Sequence, residues 1–96
     1  MLIISPRLWR GPKIKNEYTP QNYEKEGFIH CSIEKQIPGV LDRFYKGQKG
    51  LVKLKIDKAK VQRPVLFELA HDLDELFPHI YGPLNLDSVV EVITIS

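Results

Sequence analysis

The chain has 96 residues, 43% of them hydrophobic and 27% charged, with a formal net charge of +2, which is the composition of an ordinary soluble globular domain, and its length excludes a two-domain chain. No apolar run approaches the ~20 residues that a bilayer-spanning helix needs, and Met1 to Ser5 lacks the basic start of a secretory leader. The lack of such a run points away from the membrane, and one cysteine excludes an internal disulfide, which points to a reducing, cytoplasmic setting.

A chain this short buries about two-thirds of its unfolded surface, enough for one core, so 1–96 reads as a single domain. All fourteen Lys and Arg lie between Arg7 and Arg63, whereas six acids and no Lys or Arg follow from Pro64 onward. Within one domain such halves interleave, which favours internal and surface pairing over a nucleic-acid face. The Lys46 to Lys60 cluster reads first as a solvated strand face and second as an attractor for a phosphorylated ligand.

Leu2 to Ile4 has the makings of a short strand, stopped by Pro6, which has no amide proton to donate. Arg10-Gly11-Pro12-Lys13 is a breaker and leaves no room for a helix of normal length before Glu17. Trp9, Tyr18 and Tyr23 match neither the helical nor the strand period and read as lid or edge aromatics over the core. Gly27 to Cys31 reads as a short central strand. Ser32 is a residue type suited to a helix N-cap, and Glu34 suits the positive end of the dipole.

Ile33, Ile37, Val40, Leu41 and Phe44 then fall at helical spacing. Pro38 interrupts them at a cost of about 3 kcal/mol in a helix interior. The spacing therefore predicts either a distinct opening turn over Ser32 to Gln36 with the helix starting near Ile37, or a kink. Gly47 and Gly50 end it.

Leu51 to Ile56 alternates, with Val52, Leu54 and Ile56 on one face and Lys53 and Lys55 on the other, as in a half-buried strand. Asp57 to Val61 is a turn. Val65 to Leu69 is a strand with Val65, Phe67 and Leu69 on a packing face and Leu66 and Glu68 opposite. Ala70 to Leu76 reads as an acidic loop, His79 to Tyr81 as a short extended piece, Gly82-Pro83 as a turn, and Asp87-Ser88 as the cap of one more turn. Val89 to Ile95 is apolar on both faces except at Glu91, the pattern of a strand inside a sheet. Strands outnumber helices without alternating with them, so the fold class is α+β, strand-rich with one main helix.

Two stretches concentrate the chemistry: GFIHCS, Gly27 to Ser32, and FPHIYGPL, Phe77 to Leu84. His30 stands at a strand-to-helix junction, where backbone amides from Ser32 onward would face an anionic group such as a diphosphate. The other reading is a core histidine fixed by a carbonyl. Cys31 reads as buried and structural, since nothing beside it except a helix start would lower its pKa. A zinc site from His30, Cys31, His71 and His79 lacks paired-ligand spacing and ranks low. Glu68 sits in an otherwise apolar strand, paired with a neighbouring Lys or, if its face lines a cleft, acting as acid, base or hydroxyl-orienting group. The prolines and glycine around His79 and Tyr81 fix the backbone, as a site or a tight corner requires.

With EKEGFIHCS (Glu24 to Ser32), Gln36, RFYKG (Arg43 to Gly47), LVKLKID (Leu51 to Asp57), Phe67-Glu68 and FPHIYGPLNLDSVV (Phe77 to Val90) assembled, the chain closely resembles the small bacterial proteins grouped as domain of unknown function number 952, from about Glu17 onward. That family in turn resembles the ADP-ribosyltransferase superfamily. The resemblance implies a compact split fold with a cleft between two small sheets, binding of NAD or another ADP-ribose- or phosphate-containing ligand, and an ADP-ribosyltransferase-like or NAD-cleaving activity.

On that resemblance Glu68 is the catalytic carboxylate at the ribose and His30 orients it. Tyr81 stacks on nicotinamide or adenine, His79 contacts phosphate or ribose, and Ser32 and Gly82 complete the ligand site. The chain departs from the family at its start, where members carry a histidine in the first strand and this sequence has Leu2-Ile3-Ile4-Ser5. The competing class is a non-catalytic binding or structural protein that keeps the fold. A basic RNA-binding module ranks last for want of aromatics on the lysine face.

Overall fold

The computed structural model describes residues 1–6, 16–69 and 74–95. Trp9, the Gly11-Pro12 breaker and His71 lie outside the described residues.

Among the described residues three small antiparallel sheets make up the fold, which is α+β. The first has the order β1-β4-β8, from Leu2–Pro6, Leu51–Ile56 and Val89–Thr94. Its alternation places Val52, Leu54 and Ile56 beside Ser5, Ile3 and the start of β1, through the pairs Val52↔Ser5 and Leu54↔Ile3. The second has the order β3-β6-β5, from Ile29–His30, Leu76–Ile80 and Val65–Leu69. A third, two-residue ladder pairs β2, Glu17–Tyr18, with β7, Leu84–Asn85.

One bridge connects the two larger sheets: the Leu2 amide donates to the Ser32 carbonyl and the Ser32 amide to the Leu2 carbonyl, each at 2.8 Å. Between the sheets lies the core, Ile3, Ile29, Cys31, Ile56, Ile80 and Leu84. A smaller cluster of Val40 and Phe77, with Ile4 and Tyr45 against it, seats the main helix α2, Ile37–Phe44.

The helix resolves the Pro38 conflict in favour of a separate opening turn. A 3-10 turn over Glu34–Gln36 precedes α2, and Pro38 falls in the first helical turn, where its missing N–H has no intrahelical partner to lose. Gln36 ties this turn to β6. Its side-chain oxygen accepts from the Ile33 amide at 3.0 Å, and its Nε2 donates to the Leu76 carbonyl at 2.8 Å and to Glu75 Oε2 at 3.0 Å.

Several expectations change. Ser32 caps no helix, because its backbone is committed to β1 and the turn begins from Ile33. Among the described residues strand β8 lies at the edge of its sheet, with Val90 and Val92 half-exposed or more. Strand β5 is likewise an edge strand, and Phe67 and Leu69, expected to pack, are exposed, with Lys58 Nζ 5.4 Å from the Phe67 ring centre. Strand β6 begins at Leu76 and runs through Pro78. The Pro78 carbonyl accepts from the Cys31 amide at 2.9 Å, so its missing N–H falls on that same side, at the end of β3, where a ladder bond is dispensable. A one-turn helix α1, Tyr23–Glu26, has no counterpart in the sequence reading.

The Asp57 turn holds as expected, its carboxylate accepting from the Ala59 amide at 3.0 Å above the turn Lys58–Lys60. Asp87 and Ser88 lie in the turn Leu86–Ser88, closed by the Ser88 hydroxyl donating to the Asn85 carbonyl at 2.7 Å. Tyr18 and Tyr23 pack against the core, and the Tyr18 hydroxyl donates to Ser5 Oγ at 2.9 Å. Among the described residues no helix is long and apolar enough to cross a membrane.

Candidate functional site

Strand register decides which side chains meet. Strands β3 and β6 pair Ile29 with Ile80 and His30 with His79. Side chains alternate along each strand, so the two fully buried isoleucines point into the core and the two histidines to the opposite face. Strand β5 adds Glu68 opposite Phe77 on that histidine face, and Phe28 and Tyr81, two residues from a histidine each, join it.

The resulting cluster is tight. His79 Nδ1 lies 2.9 Å from Glu68 Oε1, and the Tyr81 hydroxyl donates to the same oxygen. Phe28 stacks on His79 with centroids 4.2 Å apart and planes 23° apart. His30 meets His79 edge-on at 4.9 Å and reaches Glu26 Oε2 with its Nε2 at 3.5 Å. The Tyr81 hydroxyl first, and His79 second, hold the Glu68 carboxyl below the usual carboxylate range. The same bond to Glu68 raises the Tyr81 phenol. At neutral pH the pair is therefore a charged carboxylate and a protonated donor.

An open cavity of about 240 Å³ adjoins this face, between α2, α1 and the seam of β1 with β3. Glu26, His30, Ser32, Tyr45 and Phe77 are among its lining residues. Glu68, His79 and Tyr81 are not. His30 stands between the cavity and the carboxylate cluster, so four of the expected residues, Glu68, His30, His79 and Tyr81, converge on one sheet face while only His30 of the four opens onto the hollow.

Each expected residue has a definite place. His79 is 2% exposed, and its Nε2 has no hydrogen-bond partner among the described residues. Burial keeps it from the direct phosphate or ribose contact that the resemblance implied. Tyr81 is exposed, with its ring tilted against Phe28 at 5.4 Å. Gly82 is buried at φ +146°, and a Cβ there would come within 2.8 Å of the Arg63 side chain. That position therefore receives Arg63, itself 3.2 Å from Glu17, and offers a ligand no backbone approach. Among the described residues no group of three His, Cys, Asp or Glu gathers to hold a metal ion.

Cys31 is 3% exposed, and burial pushes its thiol up to about 12. At pH 8 its thiolate fraction is on the order of a thousandfold or more below that of a free cysteine. The expected result is no labelling by a thiol reagent in the native protein at pH 8 and complete labelling in guanidinium. Rapid native labelling would contradict the buried placement.

Sequence reasoning missed Glu26, Phe28 and Tyr45. Phe28 was within reach, because period-two alternation puts it on the face of His30. Glu26 is four residues before His30, but α1 ends between them, so no helical rule joined the two. Tyr45 follows the last residue of α2, and only tertiary packing brings it to the cavity.

The model of the family described as Protein of unknown function (DUF952) matches residues 3–92. The chain belongs to that family. The matched span starts within β1, earlier than Glu17, and covers every residue of the histidine face. Among solved structures, this DUF952 chain is similar to protein CC0527 from Caulobacter crescentus, known in two crystal structures, one of a double mutant. Each has a TM-score of 0.79 at 25% sequence identity and covers 95% of this chain and 81% of that chain. A comparison with curated proteins gives no match.

Proposed function

We propose that the histidine face of this DUF952 domain binds a ribosyl nucleotide, NAD or another ADP-ribose-containing ligand, and that Glu68 acts at its ribose. The observation that carries the reading is a charged, solvent-reachable Glu68 carboxylate aligned by Tyr81 and His79, one histidine away from a cavity. Cleaving a nicotinamide–ribose bond passes through an oxocarbenium-like state, which a fixed carboxylate stabilises. His30 is the residue that links carboxylate cluster and cavity, and Ser32 lines the same hollow. Tyr81 and Phe28 supply ring faces for stacking.

At about 240 Å³ the cavity is smaller than the ~300–1,000 Å³ that drug-sized ligands occupy. It suits one end of a dinucleotide, with the remainder lying across the exposed face.

A second reading, a non-catalytic domain, has its own support. Glu68 lies outside the cavity lining, and Ile3 and Ile4 line the cavity in the strand where the family pattern carries a histidine.

Calorimetric titration with NAD and with ADP-ribose, on the wild type and on Glu68→Gln, separates the two. The expected result is binding of both ligands, at least tenfold weaker in the variant, with nicotinamide released from NAD by the wild type alone. Binding that ignores the substitution, without nicotinamide release, supports the non-catalytic domain. No heat with either ligand at millimolar concentration removes the nucleotide reading.

A further inference from the structure

The cavity that the ribosyl reading gives to one end of a dinucleotide has a chemistry of its own besides. Among the described residues that line it, Glu26 is the one carboxylate, His30 is the one other titratable group besides Tyr45 and Cys31, and there is no Lys or Arg. Phe44, Tyr45 and Phe77 contribute aromatic surface, and Ile4 and Val40 an apolar floor. Burial raises the Tyr45 phenol, as it does the Cys31 thiol, so both stay neutral at physiological pH.

A phosphate or carboxylate entering here would face Glu26 with no guanidinium or ammonium among those residues to offset it. A cation would gain the carboxylate and, beside it, aromatic rings able to attract it through their faces. The Glu26 carboxylate also has acceptor capacity to spare. Its oxygens meet His30 Nε2 at 3.5 Å and Asn22 Nδ2 at 3.5 Å, both at the outer limit of a hydrogen bond, and an ionised carboxylate offers about four acceptor positions. Size narrows the ligand further. A cavity of about 150 Å³ holds benzene, so about 240 Å³ holds one ring with substituents.

We infer that this cavity is a binding site for a one-ring organic cation, held by Glu26 against the aromatic wall. The inference shares its cavity with the ribosyl reading but does not depend on it, because it needs neither Glu68 nor a sugar. A pyridinium ring is one such cation.

The test is an amide-shift titration of the isotope-labelled protein by NMR with three rings of nearly equal shape: 1-methylnicotinamide (cation), nicotinamide (neutral) and nicotinate (anion). The expected result is saturable shifts at Glu26, His30 and Phe77 with the cation, at least tenfold weaker binding of nicotinamide, and weaker still of nicotinate. In Glu26→Gln the preference for the cation should fall at least fivefold. Should that variant fail to fold, the order of the three ligands on the wild type still decides the matter.

Nicotinamide or nicotinate binding as tightly as the cation, cation shifts that map away from the cavity, or no saturable shifts at all would each overturn the inference. ADP-ribose, which has no pyridinium ring, separates the two readings. Its binding without 1-methylnicotinamide binding removes the cation site alone, and 1-methylnicotinamide binding without binding of either ADP-ribose or NAD removes the ribosyl reading alone.

Discussion

Replacing Ile80 with alanine is expected to lower the unfolding free energy by about 3–4 kcal/mol, within the range found for large-to-small changes at fully enclosed positions. Ile80 is 0% exposed and sits in register with Ile29, also 0% exposed, in the core between the two larger sheets. Ile80 shares its buried cluster with Ile3, Ile29, Cys31, Ile56 and Leu84, so collapse around the vacated volume is limited. For a domain this size the loss corresponds to a fall in Tm of about 12–30 °C, read from thermal melts by circular dichroism. Val92→Ala is the control. At 61% exposed on an edge strand it should change stability by no more than about 0.5 kcal/mol. Equal losses at the two positions would contradict the core as described.

The second large effect is expected at Gln36. Gln36→Leu keeps the size of the side chain and removes both of its polar ends, leaving the Ile33 amide without its acceptor and the Leu76 carbonyl without its donor. Two partly buried backbone groups orphaned together should cost about 2–3 kcal/mol. Because the side chain joins the turn before α2 to the start of β6, hydrogen exchange should accelerate at both places in the variant. Gln36→Glu provides a finer test. It keeps the acceptor for Ile33 and places a second carboxylate beside Glu75, 3.0 Å from the present amide, so its loss of stability should ease as pH falls and the carboxylates protonate. A Gln36→Leu variant as stable as the wild type would refute the tie.

What could be read in the sequence depended on whether the controlling interaction was local. Strand β4 was legible from alternation alone, and the opening turn ahead of Ile37 was one of two readings that Pro38 allowed. Ser32 failed for a nonlocal reason. It is a good capping residue by type, yet its amide and carbonyl pair with Leu2, thirty residues upstream. Strand β8 failed differently. An apolar run on both faces signals the interior of a sheet, but the pattern reports side chains and carries no count of neighbouring strands, and β8 has a neighbour on one side in β4. Strand β5 misled in the same way at Phe67.

The candidate site was legible in its residue types and not in its arrangement. Two punctuated histidine segments and one carboxylate in an apolar strand were visible, and all three reach one face. That His79 would be enclosed beneath Phe28, and that Glu68 would lie outside the cavity lining, depends on strand order, which no short-range pattern encodes. Glu26 and Tyr45 enter only once the chain has closed on itself.

The pairing of His30 with His79 beside Ile29 with Ile80 makes the site a matter of odd and even positions. Sliding β3 by a single residue along β6 would drive both imidazole-bearing positions out of alignment and force a greasy side chain into water. The isoleucines, which take no part in any chemistry, are thus what keeps the imidazoles aimed. Changing their bulk should soften the domain while leaving the aim intact, whereas inserting one residue into either strand should erase it.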